Sequence, residues 1–127
     1  MAETTKPIDD GGLLFEDLAA ANLARAKQWN PSGLPMSREF AAIELAGEVG
    51  EVCNIVKKFS RAAHGIAGGR EDYAALCDEL ADVVICTDLL AMRFGIDLAA
   101  AVVRKFNATS EKHGFTITLA ARKAGQA

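Results

Sequence analysis

A chain of 127 residues with a formal net charge of −3 has the length of one domain and lacks the positive excess of a duplex nucleic-acid binder. Half of its residues are hydrophobic and 6% are aromatic, an alanine-rich composition that supports a core and suits packed helices better than a sheet. Charges interrupt every apolar run, so no span crosses a membrane, and the start lacks the pattern of a signal peptide; a soluble, cytoplasmic protein is expected.

Residues 1–12 are polar, carry Pro7 and end in Gly11-Gly12, and read as a flexible arm. A helical domain then spans 13–114. Its first helix runs from Leu13 to about Trp29, with Leu14, Leu18 and Ala21 at helical spacing, and Asn30-Pro31-Ser32-Gly33 breaks it. Ser37 is an N-cap for a second helix that carries Ile43, Val49, Val52, Val56 and Phe59 and stops near Gly65. His64 to Arg70 holds three glycines and reads as a flexible loop. A third helix runs from about Glu71 to Phe94 and ends at Gly95. Asp97 caps a fourth, which continues through Lys112 and closes at Gly114. Residues 115–127 form a tail, apolar at 116–119 and then basic. Four helices with short connections make an all-α four-helix bundle. Cys53, Cys77 and Cys86 are odd in number and have no C-x-x-C spacing, so they are expected to be small buried hydrophobes.

The second and third helices each carry a pair of acids. Glu48 and Glu51 are three residues apart and share a face, with Glu44 one turn earlier and Ile55 one turn later on the same stripe. Glu79 and Asp82 repeat the spacing. At about 100° per residue, Val83, Cys86, Leu89 and Leu90 fall within roughly 60° of one or both, so these acids lie on an apolar face. Asp88 projects the other way and reads as solvated. A buried carboxylate is costly without a partner. These acids can share protons, pair with Lys57, Lys58, Arg93 or Lys105, or meet the acids of the second helix around a cation. Two such pairs on neighbouring helices favour the cation, and four carboxylates suit Mg²⁺ or Mn²⁺. A di-iron site wants E-x-x-H motifs, and His64 and His113 stand outside any.

Gly47 and Gly50 lie inside the second helix, where they permit close packing or leave room for metal and phosphates. Lys57, Lys58 and Arg61 complement that helix's C-terminal dipole or neutralise a polyphosphate. Lys105 and Asn107 on the fourth helix are weighed in the same way. Trp29, the single tryptophan, either anchors the core or stacks on a base.

Gly-Glu48-Val-Gly-Glu51-Val, Glu79-Leu-Ala-Asp82-Val-Val-Ile, Gly-Ile-Asp97-Leu and Lys105-Phe-Asn107, in this order and spacing, resemble the MazG-like all-α nucleoside triphosphate pyrophosphatases over roughly residues 13–114. The resemblance implies hydrolysis between the α- and β-phosphates to a nucleoside monophosphate and pyrophosphate. It implies Mg²⁺ held by Glu48, Glu51, Glu79 and Asp82, phosphate or sugar contacts from Lys105 and Asn107, and a homodimer or homotetramer whose site another subunit often completes. Gly47 stands where the fuller family pattern has the leading acid of E-E-x-x-E.

The mechanism expected is metal-assisted phosphoanhydride hydrolysis, with Glu48 or Glu51 as base and Lys57, Lys58 and Lys105 holding pyrophosphate. The rivals are a phosphoribosyl-ATP pyrophosphohydrolase, a non-catalytic helical bundle that binds a nucleotide or a protein, and a di-iron oxidase.

Overall fold

A computed structural model describes residues 12–120, so the expected arm lies outside the described residues except for Gly12, as does the tail beyond 120. The described residues form four helices and no strand: α1 (Phe15–Trp29), α2 (Arg38–Ala63), α3 (Tyr73–Arg93) and α4 (Leu98–His113).

Local chemistry sets the boundaries. Ser37 accepts from the amide of Phe40 at the start of α2, and Asp97 from that of Ala100 at the start of α4. Asp72 does the same for Ala75, and this is why α3 opens at Tyr73 rather than at Glu71. No side chain caps α1, but Glu16 and Asp17 complement its N-terminal dipole. The other three helices end alike. Gly65, Gly95 and Gly114 each take positive φ, and the next residue (Ile66, Ile96 or Phe115) donates its amide back to Arg61, Ala91 or Ser110.

The loop after α2, expected to be flexible, is tied to that helix. The Arg70 amide donates to the Lys58 carbonyl, and Arg70 forms an ion pair with Asp72 at 3.0 Å. A Cβ on Gly69 would lie 2.5 Å from the Ala62 nitrogen, so only glycine permits this approach.

The extensive interface is between α2 and α3; α1 packs on α3, and α4 packs mainly on α1. Edge-on contact of Phe59 with Tyr73 at one end, and donation from Arg38 Nε to the Arg93 carbonyl at the other, make α2 and α3 an antiparallel hairpin. Among the described residues the expected core is not closed. Ala41 and Ala91 are the only buried hydrophobic residues among those described, while Ile43, Val49 and Val56 of the expected α2 stripe are exposed. Apolar side chains sit on several faces of each helix, and four helices in this open arrangement cover only some of them. Trp29, at 76% exposure, does not anchor a core, and Cys53 and Cys77 are exposed too. Gly47 and Gly50 face open space rather than a packed neighbour.

Candidate metal centre

The antiparallel register brings the middle of α2 opposite the N-terminal half of α3. Glu48, Glu79 and Asp82 each present one carboxylate oxygen there, and these oxygens lie within 4.8 Å of one another. Glu48 and Glu79 are half-buried. The Glu79 carboxyl is held above the ordinary carboxylate value, first by desolvation, then by its hydrogen bond with Glu48 and by repulsion from Glu48, Glu51 and Asp82. Glu79 and Asp82, paired by their spacing on α3, thus meet Glu48 of α2.

Glu51 adds its charge to this site but is exposed and stands outside the converging trio. One turn past Asp82, the Cys86 thiol is pushed up by burial and by Glu48, Glu44 and Asp82, while Arg25 of α1 acts the other way.

The remaining expected residues are not gathered at the trio. Lys57 is exposed, and Lys58 is half-buried two turns beyond Glu51. Arg61 lies against Gly68. Lys105 lines an apolar groove of about 560 Å³ on α4 with Val102, Phe106 and Phe115. Asn107 is engaged with the tail: its Nδ2 donates to the Leu119 carbonyl at 2.8 Å, and the Leu119 amide donates to its Oδ1 at 2.8 Å.

Asp88, expected to be solvated, is buried at 3% exposure. Its position roughly 120° around the helix from Asp82 turns it away from α2 but towards α1. There Asn22, at 2% exposure, donates from Nδ2 to Asp88 Oδ2 at 2.9 Å and to the Ile85 carbonyl at 3.3 Å. Asn22 escaped notice in the sequence, although a polar residue four after Leu18 on an apolar stripe was a usable signal.

No protein-family model, curated protein or solved structure matches the chain.

Proposed function

We propose that the chain is a Mg²⁺-dependent nucleoside triphosphate pyrophosphohydrolase of the MazG-like type, cleaving between the α- and β-phosphates to give a nucleoside monophosphate and pyrophosphate. The observation that carries this reading is the convergence of Glu48, Glu79 and Asp82 within 4.8 Å. Three carboxylates so close repel one another, and an all-oxygen donor set matches a hard divalent cation, Mg²⁺ or Mn²⁺. Histidine is missing from the trio, which disfavours iron. Glu48, Glu79 and Asp82 would hold the ion, with Glu51 beside them. When bound, it would supply charge neutralisation at the phosphates and a more acidic water.

Glu51, outside the trio, is the carboxylate left to take the proton from water, with Glu48 the alternative. The water oxygen bonds to phosphorus, the bridging P–O bond breaks, and its electron pair leaves with pyrophosphate. Lys57 and Lys58 supply positive charge beyond Glu51 on α2. Trp29 is open for stacking on a base. The same reading makes the working form a cytoplasmic homodimer or homotetramer, which the exposed apolar surface supports. A second copy is then the route by which Lys105 reaches the trio.

The test is to incubate the purified chain and Mg²⁺ with each (d)NTP and with phosphoribosyl-ATP, and to detect pyrophosphate. Release from at least one nucleoside triphosphate is expected, stopped by chelation and lowered roughly 100-fold or more by Glu48→Gln and Asp82→Asn at unchanged helicity. Release from phosphoribosyl-ATP alone would reassign the substrate. No release from any nucleotide, or wild-type rates in both variants, would sink the reading.

A further inference from the structure

We infer that the chain associates with a second copy of itself through its tail, residues 115–119 pairing antiparallel with the same segment about a two-fold axis at Ile117. This goes beyond the pyrophosphohydrolase reading and does not rest on it.

Past Gly114 the chain runs from 115 to 120 without a turn or bend, and two anchors hold it along α4. The Phe115 amide donates to the Ser110 carbonyl at 2.8 Å, and Asn107 exchanges two hydrogen bonds with the backbone of Leu119. In an extended chain the N–H and C=O groups of successive residues point to opposite edges. The bonded groups of Phe115 and Leu119 face α4, so Thr116 and Thr118 turn theirs outward. Among the described residues, nothing bonds to the backbone of 116, 117 or 118. The tail is thus a short strand edge with one side open.

Its sequence suits a copy of itself. Phe115, Ile117 and Leu119 alternate with Thr116 and Thr118, and no charge falls within 115–120. Turned end for end about Ile117, the run meets itself in register. Thr116 then stands opposite Thr118 twice, as the hydrogen-bonded pairs, with Ile117 opposite Ile117 and Phe115 opposite Leu119. The six apolar side chains share one face and the threonines the other. Cross-strand pairs of apolar residues, and of threonines, are stabilising ones.

A two-stranded ribbon is marginal by itself and needs a surface to pack on. Helix α4 supplies it. Phe115 lines the apolar groove with Val102 and Phe106, and Leu119 of the second copy lands beside Phe115. Phe115 and Ile117 are 64% and 69% exposed, and Leu119, Val102 and Phe106 are exposed as well. Together these five offer roughly 500 Å² per copy, so two copies reach the ~1,000 Å² at which specific interfaces begin.

The experiment puts charge at the axis. Ile117→Lys and Ile117→Glu are made separately and sedimented alone and as an equimolar mixture. Residue 117 is exposed, so helicity should stay at the wild-type value. Each variant alone sets like charges against each other and is expected to sediment at half the wild-type mass. The mixture sets opposite charges together and should recover that mass. A second readout is cross-linking under mild oxidation. Ile117→Cys should form an intermolecular disulfide that wild type and Phe115→Cys do not, since thiols at 115 would lie roughly 14 Å apart in this register. If a charge variant loses helicity, the cross-linking decides alone. A monomeric wild type, charge variants that keep the wild-type mass, or a mixture that stays at the mass of its components would overturn the inference. So would cross-linking of Ile117→Cys no greater than that of Phe115→Cys. None of these readouts uses a nucleotide, so their failure leaves the pyrophosphohydrolase reading standing.

Discussion

Burying Asp88 at 3% exposure removes a carboxylate from water, and the amide of Asn22 is the donor that offsets part of that cost. Truncating Asn22 to Ala would strand the acid. The expected loss is about 2–4 kcal/mol in urea unfolding, and a change below about 0.5 kcal/mol would show that the pair does not hold α1 in place. Glu79 makes a prediction of opposite character. Its folded value is raised, so the folded chain binds the proton more tightly than the unfolded one. Metal-free stability should therefore fall as pH rises from the ordinary value near 4.5 through the raised folded value. Thermal melts of Glu79→Gln should show a flatter pH profile over that window, and added Mg²⁺ should restore wild-type stability at its upper end. A Glu79→Gln profile as steep as wild type would place the proton elsewhere.

The helices show what local sequence carries and what it does not. Ser37, Asp97 and the three glycine stops were legible because capping depends on a few adjacent residues, and the start of α3 moved by two positions only because Asp72 supplies the cap. The shared face of Glu79 and Asp82 was legible for the same reason, since i, i+3 spacing fixes it, whereas Glu51, read as a fourth ligand, stands outside the trio that α2 and α3 bring together. The direction of Asp88 was not, because it depends on which helix covers that side of α3, and the partner Asn22 lies 66 residues away. Asn107 was read as a nucleotide contact, and its bonds to Leu119 arise from a return of the tail along α4 that helix periodicity does not encode. Gly50 offers a test at this scale. In an isolated chain with nothing within 4 Å, Gly50→Ala should add up to about 1 kcal/mol, the helix-propensity difference. If a second copy lays a helix along this face, the added methyl must instead lower the melting temperature. The expected outcome is the lower melting temperature, read by calorimetry at high protein concentration.

At the scale of the molecule, the described residues bury only Ala41 and Ala91 among the hydrophobic ones, beside exposed Ile43, Leu34, Phe40 and Phe94, a small core for four helices. Association should therefore supply part of the stability, and the melting temperature should fall on dilution as sedimentation shows smaller species. A melting temperature independent of concentration, with a monomer throughout, would contradict this. The α2/α3 hairpin has one more consequence, for the order of events as the chain folds. Its two helices are joined by a short loop, and all three converging carboxylates lie between residues 48 and 82. Contacts this local close quickly, before α1 docks and before copies can meet. The acidic trio then exists in the earliest compact species, where its mutual repulsion opposes collapse. Divalent ions should thus speed refolding itself, and the ion would act as a kinetic aid to the newly made chain as well as a participant in its chemistry.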